Sequence, residues 1–209
     1  MKYKYCLEYA KDPLFIRFKV PDEVKSEIES TIENLDKTRL MNHRLAGHLE
    51  QQYECDETEK LSELMRSLSQ DFVDKAGWDS YKFADDVYLD ENLQFALKSY
   101  WINYSKKGDY QPMHNHTGAF SFVIWTKIPY DLQEELDVYT SNGNVGSQFA
   151  FQHLDAKGRI RQRTVDAVEW TGCLFPSWLM HVVYPFKTTD EYRISLSGNV
   201  FLDGSTENT

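Results

Sequence analysis

The sequence has few cysteines, and these few stand far apart. Only three occur in 209 residues, at Cys6, Cys55 and Cys173. An odd number of widely spaced cysteines argues against a disulfide framework and against a zinc site built on paired thiolates. We therefore expect any bound metal ion to have nitrogen or oxygen ligands.

Long apolar runs are lacking as well. The first thirty residues place charged side chains such as Lys2, Lys4 and Asp12 among the apolar ones. No stretch is long enough for a signal peptide or a membrane span. We expect a cytoplasmic protein with no membrane partner.

Basic residues are outnumbered by acidic ones. The 23 Lys and Arg residues face 33 Asp and Glu residues, which gives a formal charge of −10 and a pI near 5.1. Such a surface repels a phosphate backbone, so non-specific nucleic-acid binding is not expected. The length and the 41% hydrophobic content predict one sizeable core. Residues 1–209 are therefore predicted to form a single domain.

The first half of the chain has two helical patterns. Between residues 21 and 36 the apolar residues recur at helical spacing, at Val24, Ile28, Ile32 and Leu35. A second stripe begins after Thr58, a suitable N-cap, and ends at Gly77, a suitable C-terminal stop. Residues 1–96 are predicted to be a mostly helical N-terminal portion.

From about residue 97 the sequence changes to short runs rich in β-branched and aromatic residues, separated by turn residues. The predicted strands are 98–104, 113–116, 119–127, 147–154, 159–169, 172–184 and 191–202. This pattern predicts an α+β fold in which the N-terminal helices pack on a double-stranded β-helix, that is, a jelly-roll or cupin-like core. The core would span 97–204, with a polar tail at 205–209.

Three of the six histidines are candidates for metal ligands. His114 and His116 are two residues apart, and an extended backbone turns alternate side chains to the same face, which is a chelating arrangement. His181 lies in an otherwise apolar strand, where an unpaired imidazole would cost a few kcal/mol. A structural hydrogen bond would satisfy His181 as well as a metal would. We interpret His43, His48 and His153 as structural.

A polar stripe follows twelve residues after His181. Alternation places four residues on one face of a strand: Arg193, Ser195, Ser197 and Asn199. A guanidinium can hold a carboxylate through two parallel hydrogen bonds, and a hydroxyl two residues on can add a third. The alternative is an exposed strand face paired with Asp or Glu.

The combination of His181 with Arg193-x-Ser195 in the next strand resembles the 2-oxoglutarate/Fe(II) oxygenase superfamily. The stretch Trp101-Ile102-Asn103-Tyr104, followed by His114-x-His116, is similar to the proximal region of an oxygenase subfamily related to prolyl hydroxylases. Phe175-Pro176-Ser177-Trp178 is similar to its C-terminal signature. The resemblance covers about residues 97 to 202.

The resemblance implies a set of roles. Fe(II) would be held by His114, His116 and His181, and these residues with Arg193 would be the catalytic ones. The co-substrate 2-oxoglutarate would contact Arg193 and three further residues: Ser195, Tyr104 and Asn199. With O2 the enzyme would be a dioxygenase. It would hydroxylate a carbon of a peptide, of a protein side chain such as proline, or of a small molecule, and release succinate.

The sequence departs from the superfamily at His116, which stands where most members have Asp or Glu. In one alternative, His116 is the first ligand and Gly118 takes the carboxylate position, as in halogenating members. In another, Asp109 or a water completes the metal shell and His116 lies behind it.

Two rival functions remain. A three-histidine cupin dioxygenase would use the histidines without a keto acid, and a jelly-roll binding or structural protein would use neither. A row of alternating cations adds a hint about substrate: Lys157, Arg159, Arg161 and Arg163. These residues would either be a solvated strand edge or contact an acidic peptide or a nucleotide.

Overall fold

Two antiparallel sheets make up most of the computed structural model, which describes residues 4–9, 13–42, 46–76, 94–138, 145–155 and 157–203. The strands are β1 Tyr5–Tyr9, β2 Pro13–Lys19, β3 Gln51–Cys55, β4 Gln94–Ser105, β5 Gln111–His114, β6 Phe120–Lys127, β7 Phe149–Leu154, β8 Ile160–Val165, β9 Thr171–Pro176, β10 Met180–Val183 and β11 Arg193–Asp203. The helices are α1 Asp22–Glu33, α2 Glu59–Ala76 and α3 Leu132–Asp137.

The larger sheet has the strand order β1-β2-β9-β6-β11-β4-β3, and the smaller sheet has the order β5-β10-β7-β8. Every pairing between these strands is antiparallel. The chain passes back and forth between the two sheets, as it does in a jelly roll. The predicted α+β class and the double-stranded β-helix are confirmed.

The predicted N-terminal helices pack on the outer face of the larger sheet. α2 buries its whole apolar stripe, including Leu61, Leu64 and Leu68, against β4 and the neighbouring strands. Glu27 of α1 accepts the backbone N–H groups of Lys60 and Leu61 at 3.1 and 2.9 Å. These contacts satisfy donors that a helix N-terminus leaves free, and they join the two helices.

A second core lies between the sheets. It is rich in aromatic side chains, and its fully buried members include Phe15, Phe151, Phe175 and Leu179. Phe15 and Phe151 stack with their ring centroids 4.4 Å apart, which links β2 of one sheet to β7 of the other. The aromatic core fills one part of the space between the sheets and thereby limits the cavity described below.

Four features differ from the predictions. Besides α1 and α2, the described part of the N-terminal portion supplies β1, β2 and β3, which were not predicted, to the larger sheet. The predicted strand 172–184 is two strands, β9 and β10, because the chain turns after Pro176 and changes sheet. α3 was not predicted, although its N-cap Asp131 accepts the N–H groups of Gln133 and Glu134. The strand predicted for 113–116 ends at His114.

Two predictions fall on residues outside the described ranges: the helix stop at Gly77 and the polar tail at 205–209. Among the described residues, no helix combines the length and the apolar character that crossing a bilayer requires.

Candidate metal centre

Three imidazoles converge between the two sheets. His114 on β5 and His181 on β10 are cross-strand partners. His116 lies just beyond β5, where its backbone N–H donates to the Ser177 carbonyl at 2.9 Å. One ring nitrogen from each of the three histidines lies within 4.8 Å of the other two. The folded chain thus brings His181 next to two histidines that lie 65 and 67 positions before it.

The hydrogen bonds of two histidines leave one ring nitrogen free on each. His114 Nδ1 lies 2.7 Å from the Pro112 carbonyl, and His181 Nδ1 lies 3.0 Å from the Leu179 carbonyl. A carbonyl can only accept, so both Nδ1 atoms carry a proton and both Nε2 atoms keep their lone pairs. Lone pairs fixed in this way are what a metal ion requires of its histidine ligands.

The third imidazole faces the same point. His116 Nε2 lies 3.2 Å from His181 Nε2, whose lone pair can only accept. At this distance His116 either donates a hydrogen to His181 or shares a cation with it. Since three nitrogen donors at one point suit divalent iron, the residues fit a metal ion of this kind.

Burial keeps all three histidines neutral. It lowers the pKa of His114, and it lowers the pKa of His116 to about 4. The pKa of His181 is lowered well below its usual value, first by burial and then by its two histidine neighbours. Because a metal binds the neutral imidazole, the site needs to release no proton from these rings near neutral pH.

A cavity of about 440 Å³ extends from the histidines toward β11. At one end lies Arg193, which is 3% exposed. Its Nη1 donates to the Ser147 and Tyr184 carbonyls at 3.1 and 3.3 Å and to Tyr130 Oη at 3.4 Å. Its Nη2 is buried without any hydrogen-bond partner.

The charge of Arg193 is also unpaired. Among the described residues, no carboxylate forms an ion pair with Arg193. Apart from the three oxygens that accept from Nη1, its guanidinium group contacts the Phe186 ring, whose centre lies 5.2 Å away. A buried cation without an anion is costly, so the cavity favours a ligand that carries a carboxylate. The residues therefore fit a keto acid at this end.

The predicted polar stripe lines the cavity. Arg193, Ser195, Ser197 and Asn199 all border it, as the alternation along β11 requires. β4 adds Asn103, which pairs with Ser195 across the strands. Trp101 and Trp125 also border the cavity, whereas Trp178 lies 46% exposed.

Tyr104 lies elsewhere, contrary to the role predicted for it. It occupies the opposite face of β4 from Trp101 and Asn103, and its ring packs edge-on against Tyr53 and Tyr192. Alternation along the strand explains this position, because neighbouring residues point to opposite faces. The structure brings the three histidines, Arg193, Ser195 and Asn199 to one cavity, but not Tyr104.

The alternative ligands have other partners. Asp109 Oδ2 accepts the backbone N–H groups of Glu50 and Lys106 at 2.8 and 2.9 Å, which holds it in a turn. Gly118 has a φ of +98°, and a Cβ there would lie 2.8 Å from the Val200 carbonyl oxygen. A close backbone approach thus accounts for this glycine, and the position of His114 beside His181 favours His114 as the first ligand.

The other candidates lie away from the cavity. His48 is largely exposed, His153 is half-buried on β7, and His43 falls outside the described residues. In the basic row, Arg159 and Arg161 bind Asp155 at 2.8 and 3.0 Å. None of the basic row borders the cavity. This arrangement fits a solvated strand edge.

Sequence patterns missed the groups that hold Arg193. Two of them are backbone carbonyls, which no side-chain motif reports. The third, Tyr130, lies after β6 beside Phe186. The Asn103 side chain belongs to a stretch already noted, but its contact with the polar stripe depends on strand pairing.

Comparison with known proteins gives a consistent result. Residues 99–199 match the family model described as "Putative 2OG-Fe(II) oxygenase". A search of curated proteins gives no match. The fold is similar to that of a prolyl-4-hydroxylase from Pseudomonas putida, with a TM-score of 0.56 and 13% identity over 90% of this chain and 91% of that one.

A second solved structure is also similar: a prolyl hydroxylase from Trichoplax adhaerens in complex with a peptide fragment of the hypoxia inducible factor oxygen degradation domain. The TM-score is 0.53 with 12% identity, over 90% of this chain and 82% of that one. At these identities the two structures establish a common fold.

Proposed function

Because residues 99–199 match the model of the 2OG-Fe(II) oxygenase family, we propose that this enzyme hydroxylates a carbon atom of its substrate with Fe(II), 2-oxoglutarate and O2. One observation carries the proposal. Three neutral imidazoles that converge on one point share a cavity with a buried arginine whose Nη2 has no partner.

The histidines would hold the metal ion. His114 and His181 present Nε2 because their Nδ1 protons are donated to carbonyls, and His116 completes the set. Three neutral ligands leave the full double charge of Fe(II) uncompensated, whereas the usual carboxylate would cancel one unit. The site therefore depends more strongly on an anionic co-substrate for charge balance.

Arg193 and the stripe beside it would bind the co-substrate. The Nη2 of Arg193 would take the carboxylate distant from the metal, and Ser195 and Asn199 would add hydrogen bonds along the cavity wall. The bound metal, keto acid and O2 supply the oxidation: 2-oxoglutarate and O2 become succinate and carbon dioxide, and one oxygen atom enters a substrate C–H bond. The chain supplies placement and excludes water.

For the substrate we propose a peptide, a protein side chain such as proline, or a small molecule that reaches the cavity. The support is the fold shared with two prolyl hydroxylases, one of them solved with a peptide. The cavity is partly aromatic around Trp101 and Trp125, and Arg193 and Glu54 are its charged lining residues, which leaves room for an uncharged group beside the histidines.

The proposal is tested with purified protein and Fe(II). We expect 2-oxoglutarate to give a visible absorption band under argon and succinate after O2 is admitted. His181→Ala should abolish both, and Arg193→Gln should raise the KM for 2-oxoglutarate at least tenfold by removing the buried cation. Arg161→Gln is the matched control, because Arg161 is exposed and bound to Asp155.

Other results would point elsewhere. Consumption of O2 that does not depend on 2-oxoglutarate would favour a three-histidine cupin dioxygenase. Failure to retain Fe(II), Ni(II) or Zn(II) would favour a non-catalytic jelly roll.

A further inference from the structure

A chain of buried polar side chains crosses from β3 through β4 to β11. Gln52 and Asn103 are 5% and 3% exposed. Gln52 Nε2 donates to Asn103 Oδ1 at 2.8 Å. Asn103 Nδ2 in turn donates to Ser197 Oγ at 3.2 Å and, more weakly, to Ser195 Oγ at 3.4 Å. All four side chains border the cavity.

The direction of these bonds determines what the two serines offer. A carboxamide has two N–H hydrogens, and Asn103 uses both on the serine oxygens. Each serine therefore accepts from Asn103 and keeps its own O–H hydrogen for another partner. Since both serines border the cavity, they can donate to a ligand there.

Gln52 couples the orientation of Asn103 to its own. A carboxamide can rotate by half a turn and exchange its oxygen for its nitrogen. If Asn103 were reversed, its oxygen would take the serine hydrogens, and only serine lone pairs would face the cavity. In the arrangement observed, Gln52 Nε2 faces Asn103 Oδ1, so reversing Asn103 alone would bring two N–H groups together, and the reversal requires that Gln52 turn as well.

We propose that Asn103, held by Gln52, is a positioning residue that makes Ser195 and Ser197 hydrogen-bond donors to 2-oxoglutarate. The inference rests on the proposed function. At neutral pH 2-oxoglutarate carries two carboxylates and a ketone, so it accepts hydrogen bonds and donates none. A wall that binds it must present donors, and Asn103 keeps two hydroxyls beside Arg193 in that state.

A double-mutant cycle on co-substrate affinity tests the proposal. The measurement is calorimetric titration of 2-oxoglutarate into Fe(II)-loaded protein under argon, where no turnover occurs. Asn103→Leu, a change of similar size, should weaken binding about tenfold. In a Ser195→Ala/Ser197→Ala background the same change should have little further effect, because Asn103 acts through those hydroxyls.

Two further variants complete the design. Gln52→Leu should weaken binding in the same direction by a smaller factor, and it keeps the test open if Asn103→Leu does not fold. Ser121→Ala is the matched control, since Ser121 Oγ donates to Asn199 Oδ1 rather than contacting Asn103. The effects of Ser121→Ala and Asn103→Leu should be additive.

The outcomes separate the two claims. If the wild-type protein does not bind 2-oxoglutarate, the proposed function and this inference both fail. If the wild-type protein binds but the effects of Asn103 and the serines are additive, the inference alone fails. Tighter binding by Asn103→Leu would also overturn it, because this result would mean that Asn103 withholds the serine hydrogens from the ligand.

Discussion

At the scale of single residues, the three buried histidines predict how stability depends on pH. Burial lowers the pKa of His116 to about 4, from an ordinary value of 6.5, and lowers the pKa values of His114 and His181 as well. Below pH 6.5 the unfolded chain therefore binds protons that the folded chain does not. We expect the free energy of unfolding of metal-free protein to fall by roughly 1.4 kcal/mol per pH unit through His116 between pH 6.5 and 4, and His114 and His181 should add to this loss in the same direction.

Chemical denaturation at a series of pH values measures this slope. The slope should decrease in His116→Asn, while His153→Asn, half-buried on β7 and outside the cavity, is the control. Two carboxylates affect stability only at lower pH. Hydrogen bonds from Thr38 to Asp36 and from Lys127 to Glu191 lower the pKa of each carboxylate below its ordinary value, which is 3.8 for Asp36 and 4.5 for Glu191. A flat profile from pH 6.5 to 5 would contradict the effect of burial on the histidines.

The residues that could be predicted from sequence are those fixed by strand alternation. The stripe from Arg193 to Asn199 borders the cavity, because β11 pairs with β4 without a register shift over these residues. The role of Tyr104 was implied by the family resemblance, which does not determine which face of β4 it occupies. Asn103, its neighbour, lies on the cavity face. The partners of Arg193 were not predictable, because two of them are carbonyls of distant loops.

At the scale of elements, β11 and β4 approach closely at Gly198. A Cβ there would lie 2.6 Å from the Ser99 carbonyl oxygen and 2.7 Å from both Tyr100 Cβ and the Phe122 ring. Because the added methyl group would displace the backbone of β4, Gly198→Ala should lower the free energy of unfolding by about 1–3 kcal/mol. Because Ser197 and Asn199 flank this position, affinity for 2-oxoglutarate should fall as well.

Denaturant unfolding and calorimetry measure the two effects of Gly198→Ala. Leu68→Ala on α2 is a useful comparison, because it creates a cavity in the outer core, away from the histidines. It should cost about 2–5 kcal/mol in stability but leave the co-substrate affinity of the folded protein unchanged. Unaltered stability of Gly198→Ala would mean that β11 and β4 can separate without cost.

The sequence predicts a helix or strand where the spacing of apolar residues within one segment determines it, but not where strand pairing with a distant segment does. Helices α1 and α2 follow from apolar spacing within one segment. β3 contains Gln52, whose partner Asn103 is 51 residues away, so neither its strand nor its role is visible locally. The apolar run 172–184 is divided into β9 and β10 because its first part pairs in the larger sheet and its last part in the smaller sheet, and both pairings involve distant strands.

At the scale of the whole molecule, the proposed ligands would join the two sheets. The histidines lie on or beside strands of the smaller sheet, whereas Arg193 and the polar stripe belong to the larger one.

A metal that binds only the folded chain stabilises it by about 2.7 kcal/mol at a hundredfold excess over its Kd. For a chain of 209 residues we therefore expect Ni(II), which does not turn over, to raise the Tm by about 5–10 °C. Adding 2-oxoglutarate should raise it further, because a keto acid held by the metal and Arg193 would contact both sheets. Calorimetry with and without EDTA measures these shifts. His181→Ala should lose both, Arg193→Gln only the second, and His153→Asn neither; a Tm that EDTA leaves unchanged would contradict a metal site at these histidines.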